Sequence, residues 1–353
     1  MLIKLITAIE DLPPVLAASV SPEERSCVEK LRTQGELPFA VTPHFASLAG
    51  PEQNDPIRRQ CFPNPAEFLK DPFALEDPLG EALYRVTPRL VHQYRDRCLL
   101  LAGGPCAGYC RFCFRRVRMS RSPSFISAQE IEPVCGYLKN HAEVRELLVS
   151  GGDPLTAEDS KLAGLFRAIR EARPGILIRI CTRVPIAWPQ RLTPETLRLF
   201  VGFKPLRMMV HINHPRELAE ESRRVLADCA ARGIPVHVQT VLLRGVNDNA
   251  GTLVLLFREC LDLGLSPYYL FQPDLAPGTA HFRLPLKEGL ALYKELQTLI
   301  SGLGLPAYAV DLPGGGSKIR LNEGSIAGET QTPAGRAYLL KAQDGKFWPY
   351  PAD

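Results

Sequence analysis

Three cysteines in one short segment, Cys106, Cys110 and Cys113 of GPCAGYCRFCFRR, carry the strongest chemical signal in this chain. Thiolates are the soft ligands that hold iron–sulfur clusters, and a [4Fe–4S] cube ordinarily takes four of them. Three leave one iron open, and an open iron can bind a small molecule as its fourth ligand. The competing readings are a zinc site or buried structural cysteines. Zinc usually takes four ligands in two pairs, and the chain has no second CxxC or HxxxH pair. The spacing therefore favours a cluster with one iron free for chemistry.

A second signal lies in Ala309-Val-Asp311-Leu-Pro-Gly314-Gly-Gly-Ser-Lys318-Ile319. A glycine run after a strand gives backbone that can approach a phosphate or a cofactor ring, and this one delivers a single lysine. The run does not fit the Walker pattern. A lysine so placed could form a Schiff base with pyridoxal phosphate (PLP), whereas the plainer reading of such a loop is a turn.

These residues need a scaffold. At 353 residues and 45% hydrophobic content, the chain can bury a large core, as two ordinary domains or as one α/β barrel with a terminal extension. Short apolar runs that fit buried parallel strands occur at Cys98–Ala102, Glu146–Val149, Leu177–Cys181, Met208–Ile212, Val236–Val241 and Tyr268–Phe271, with amphipathic helical stretches between them. Right-handed crossovers would curl these six units into a partial (β/α)6, TIM-like barrel whose C-terminal rim is the expected active site. Each predicted strand ends in polar or special residues there: the cysteine loop, Ser150-Gly-Gly-Asp153, Thr182-Arg183, Asn213-His214, Arg244 with Asn247-Asp248, and Gln272-Pro-Asp274.

Residues 1–90 read as a mainly helical cover with proline-rich connections, residues 91–323 as the barrel with its glycine–lysine loop, and residues 324–353 as an extended arm. The start, MLIKLITAIEDL, is broken by Glu10 and Asp11 and lacks a small-residue cleavage site, so no signal peptide is read and a cytoplasmic location is expected. The other seven cysteines are scattered singly and fit reduced core residues. A net charge of +4 with mixed signs gives no ground for a nucleic-acid or membrane surface.

The cysteine loop resembles that of the radical S-adenosylmethionine (SAM) enzymes. With LLVSGGDPL, IRICTRVPIAWPQRLT, HINHPRE, VLLRGVND, PYYLFQPDLAPGTAHFR and VDLPGGGSKI it is similar to the successive motifs of the lysine 2,3-aminomutase family, from about Thr42 to Ile319. The resemblance implies a [4Fe–4S] cluster on Cys106, Cys110 and Cys113, SAM cleaved to a 5′-deoxyadenosyl radical, and PLP on Lys318, together moving an amino group from C2 to C3 of an amino acid. It places Tyr94 and Arg97 at the PLP phosphate, and Ser150, Gly151, Gly152, His211 and Gln239 at SAM. Arg115 matches the grip on the substrate carboxylate, and Asp274 and Asp311 match the acids that receive a lysine ε-ammonium. Two carboxylates compensate a buried ammonium but would repel a glutamate side chain, so L-lysine is the expected substrate.

Two departures separate this chain from longer relatives. Gln93 stands where they place an arginine, and Asn249 stands where they carry a zinc-binding cysteine, with no cysteine beyond Cys260. The chain thus looks like the short bacterial EpmB type, which makes (R)-β-lysine for elongation factor P and its lysyl ligase. The resemblance also implies a one-electron reductase such as flavodoxin or ferredoxin. The alternatives are formation of free (S)-β-lysine, a glutamate 2,3-aminomutase, or a radical SAM enzyme of another class.

Overall fold

A computed structural model of the chain describes residues 3–120 and 124–352. Its centre is a ten-stranded sheet in sequence order: β1 (Arg85–Thr87), β2 (Leu90–Tyr94), β3 (Arg97–Leu101), β4 (Glu146–Ser150), β5 (Leu177–Thr182), β6 (Leu206–His211), β7 (Val236–Val241), β8 (Ser266–Phe271), β9 (Ala307–Asp311) and β10 (Lys318–Arg320). Strands β3 to β9 are parallel, while β1 and β2 at one edge and β10 at the other run antiparallel. Helices such as Asp159–Ala172 and Ala250–Asp262 connect the parallel strands and cover the outer face. Covered strands must be apolar on that side, and Leu147, Val149, Ile178, Ile180, Met208 and Val210 are all fully buried. The six expected strands are all present, and β9 extends the parallel set of a partial TIM-like barrel.

No backbone ladder joins β1 to β10. The gap is bridged by side chains instead. Tyr84 Oη and Gln93 Nε2 donate to the Gly315 carbonyl at 3.0 and 3.2 Å, and the Lys318 amide donates to Tyr94 Oη at 2.9 Å. Gln93 therefore helps to close the barrel.

The helix Pro22–Thr33 in the N-terminal cover begins at a reciprocal cap: the Ser21 side chain accepts from the Glu24 amide and the Glu24 carboxylate accepts from the Ser21 amide. The cover meets the barrel through charge. Glu67 accepts from Arg111 at 2.6 Å and from Arg116 at 2.7 Å, with all three side chains almost wholly buried. Burial alone would raise the Glu67 carboxyl, but the two guanidiniums reverse this and hold it below its ordinary value. Asp55 pairs with Arg216 at 2.5 Å and Asp71 with Arg283 at 3.0 Å.

The stretch expected as an extended arm forms an antiparallel three-stranded sheet, β11 (Ile326–Thr332), β12 (Gly335–Lys341) and β13 (Phe347–Pro351). It rests on the glycine loop: a Cβ on Gly316 would come within 2.6 Å of the Trp348 ring. Tyr350 Oη donates to the Pro273 carbonyl at 3.0 Å, next to Asp274.

Glu67→Gln is expected to leave two buried guanidiniums without a compensating charge, at a cost of about 3–5 kcal/mol. Chemical denaturation measures it, and an unchanged midpoint would contradict the role given to this carboxylate.

Candidate active site

The chain between β3 and the short helix Arg116–Ser120 forms the cysteine loop. It is pressed between two neighbours. On one side the Tyr109 and Arg111 amides donate to the Ala40 and Gln60 carbonyls of the cover, each at 2.9 Å. On the other, a Cβ at Gly152 would lie 2.0 Å from the Gly104 carbonyl oxygen, so only glycine lets the loop after β4 approach so closely.

Cys106, Cys110 and Cys113 line one small cleft together with Gln60, Asp153 and Arg183. Burial, reinforced by the adjacent thiols, pushes Cys106 far above its ordinary pKa and Cys113 up to about 11. They are neutral thiols until a cation is present to stabilise the thiolates. Among the described residues no three His, Cys, Asp or Glu side chains converge on one metal-ion position. A cluster contacts each thiolate through a different iron, so it needs thiolates around a cavity rather than about a point. The cleft meets that requirement.

Arg183 is the cation of this cleft. It donates to Cys110 Sγ at 2.8 Å, to Gln60 Oε1 at 2.6 Å and to Glu217 Oε2 at 3.1 Å, while its Nε is buried without a partner. An orphaned N–H beside the thiols fits an acceptor arriving with the cluster or with a ligand on its open iron. Asp153 fixes the turn that carries Arg183, accepting from the Thr182 hydroxyl and the Arg183 amide. His211 ends β6 with Nε2 3.0 Å from Asn213 Oδ1 and its ring edge-on to Phe112. Burial and then the Arg183 charge lower it to about 3, so it is a neutral imidazole. Gln239 is its register partner on β7.

The second half of the rim gathers around Lys318. The residue before it, Ser317, has φ +73°, the one non-glycine residue with positive φ among those described. That backbone turns Lys318 inward. Its Nζ donates to Asp311 Oδ2 at 2.5 Å and lies 4.0 Å from the centre of the Phe271 ring. Asp274, in the loop after β8, is raised to about 8, first by burial and then by the charge of Asp311. Arg115 donates from Nε and Nη2 to Glu81 Oε1 at 3.0 and 2.6 Å, and from Nη1 to Ser150 Oγ at 3.3 Å. Three acids and two cations thus share this end of the rim.

The radical SAM superfamily model matches residues 103–256, which span the cysteine loop and the following strands. A putative L-lysine 2,3-aminomutase of Treponema pallidum (strain Nichols) is 44% identical over 315 residues, 88% of this chain and 89% of that protein. The chain belongs to the lysine 2,3-aminomutase family. The L-lysine 2,3-aminomutase of Clostridium subterminale is 37% identical, covering 89% of this chain and 74% of its own. The glutamate 2,3-aminomutase of Clostridioides difficile (strain 630) is 32% identical, covering 90% and 74%. Membership makes the chain a radical SAM isomerase and implies a [4Fe–4S] cluster and SAM.

Set beside the aminomutase resemblance, the geometry brings most of the expected residues to one rim and gives some of them other partners. Ser150 is turned toward Arg115, and Gly151 and Gly152 lie against the cysteine loop. Tyr94 Oη accepts from the Lys318 amide, and Arg97 stacks on the Tyr94 ring while pairing with Asp96. Glu81 was missed, because it lies far from any motif in a segment read as cover. The proline-glycine spacing in Asp77-Pro-Leu-Gly80-Glu81 marks a turn, but nothing in it says where the turn docks.

Cys110→Ala should lose the cluster and all SAM cleavage while keeping the fold, checked by iron content and circular dichroism; a full iron count in the variant would refute the ligand set. Asp274 carries a separate signature. Its folded pKa, about 8, lies above its ordinary 3.8, so its contribution to stability is full below about pH 4 and is lost as pH rises toward 8. Asp274→Asn should flatten that slope in melting temperatures taken across the range.

Proposed function

We propose that this chain is a PLP-dependent L-lysine 2,3-aminomutase that converts L-lysine to β-lysine. The observation that carries the reading is the pairing of Lys318 with Asp311 beside Asp274, with the Arg115 guanidinium close enough for its charge to act on both Asp274 and Cys113. Bound together, the groups implied here would supply a 5′-deoxyadenosyl radical that takes hydrogen from C3 and a ring that carries the migrating nitrogen. The chain's own residues orient the amino acid. Arg115 is proposed to take its carboxylate, as a planar two-pronged donor suits that group. Lys318 would hold PLP, and Asp274 and Asp311 are proposed to take the ε-ammonium. His211, held neutral, offers SAM a hydrogen-bonding group without adding charge beside Arg183.

Lysine is proposed over glutamate on charge. A glutamate side chain would bring a third carboxyl beside Asp274 and Asp311, where a lysine ε-ammonium is compensated, and like charge there would expel it. The proposed product is the (R)-isomer, made for elongation factor P. The reading rests on the resemblance to the short type, in which Asn249 stands in place of a zinc-binding cysteine; here its side chain caps the helix Ala250–Asp262 by accepting from the Thr252 amide at 2.9 Å. A flavodoxin or ferredoxin is the proposed electron donor. A cytoplasmic location is proposed with it, in keeping with ten cysteines that are all unpaired; no helix among the described residues is long and apolar enough to cross a membrane.

Anaerobic turnover of lysine against glutamate, with chiral analysis of the product, tests the assignment. Asp274→Asn and Asp311→Asn should each lose about 2–5 kcal/mol of binding or transition-state stability, which is about 30-fold to several thousand-fold in kcat/KM for lysine. Cluster content should stay normal in both variants, and PLP content in Asp274→Asn. Wild-type kinetics in both, or faster turnover of glutamate than of lysine, would overturn the substrate.

A further inference from the structure

Glu81 lies in a turn that touches both working parts of the rim. Its backbone amide donates to Asp77 Oδ1 at 3.0 Å and that of Ala82 donates to Asp77 Oδ2 at 2.8 Å, so one carboxylate ties the turn. The residue before it, Gly80, has φ +63°, and a Cβ there would lie 2.7 Å from the Gly315 amide nitrogen. The Gly314 amide donates back to the Pro78 carbonyl at 2.8 Å. The turn is therefore docked on the glycine loop that sets Lys318. From it Glu81, with its side chain only 11% exposed, reaches Arg115.

The way it reaches Arg115 is specific. One oxygen, Oε1, accepts from both Nε and Nη2, which uses the side edge of the guanidinium, and Ser150 takes a hydrogen of Nη1. A guanidinium has five N–H bonds. Three are engaged, leaving one on each terminal nitrogen, and a carboxylate can use such a pair in bidentate fashion. Without Glu81 the guanidinium would be free to turn about its long side chain, and ordering it would fall to the substrate.

We infer that Glu81 is a positioning residue that holds Arg115 by its side edge so that the remaining N–H pair can receive the carboxylate of the amino acid substrate. The inference rests on the reading of Arg115 under the proposed function. It adds an acid from the N-terminal cover to the recognition of the end of the substrate opposite the ε-ammonium.

The test compares two probes, L-lysine and 1,5-diaminopentane, which keeps both amines but lacks the carboxylate. Binding to the cluster- and PLP-loaded protein is measured by calorimetry without SAM, so that no turnover occurs. Glu81→Ala should weaken lysine by about 10- to 100-fold, the range for losing a hydrogen bond to a charged group, and leave diaminopentane unchanged. Glu81→Gln, which keeps an oxygen acceptor for Arg115, should recover part of the loss, and it serves as the test variant if the alanine form does not fold. Equal weakening of both probes would reduce Glu81 to a structural role and overturn the inference. Tighter lysine binding would overturn it too, by showing that Glu81 competes with the substrate for Arg115. Wild-type protein that binds both probes alike would overturn the reading of Arg115 itself, and the inference with it.

Discussion

One buried carboxylate, Glu67, ties together the parts that the chemistry needs. Arg111 and Arg116 both converge on it, and they flank Cys113 in the chain. Arg111 also donates to the Leu37 and Pro38 carbonyls, and Arg116 to the Gly278 carbonyl in the loop that carries Asp274. Cover, cysteine loop and acid loop therefore share one electrostatic junction. Such a group contributes little net stability, because desolvating three charges offsets most of their attraction. Its contribution is to geometry, since separating the loops would leave buried charges unpaired, which is costly.

The two halves of the rim are built on opposite electrostatics. Around the cysteines the organising charge is Arg183, which lowers His211 and faces the thiols. Around Lys318 the acids dominate, and mutual repulsion with Asp311 adds to burial in raising Asp274. Arg115 and Ser150 stand between these halves and bond to each other. A ligand lying across this boundary meets a cation at one end and carboxylates at the other, which suits a molecule with a carboxylate and a distant ammonium.

The sequence made the barrel legible because strands covered on the outside by helices read as apolar runs, and all six predicted runs fall on parallel strands. The C-terminal sheet was not legible. Ile326–Thr332 reads IAGETQT, with small and polar residues at most positions, and a strand with so little apolar character does not stand out from an extended arm. The three cysteines and Lys318 were visible as local patterns. Glu67 and Glu81 were not, because a buried acid is defined by an arginine that lies 34 to 49 residues away in the chain and has no local signature.

Apart from Arg89 with Glu130, the ion pairs described between cover and barrel run in one direction. Asp55, Glu67, Asp71 and Glu81 all belong to the cover, and the guanidiniums they meet, on Arg216, Arg111, Arg116, Arg283 and Arg115, all belong to the barrel segment. The first ninety residues thus act as a tethered set of counter-ions. A chimera that exchanged this segment between relatives would have to carry the matching arginines with it, so cover and barrel are bound to change together even though a line can be drawn between them in the chain.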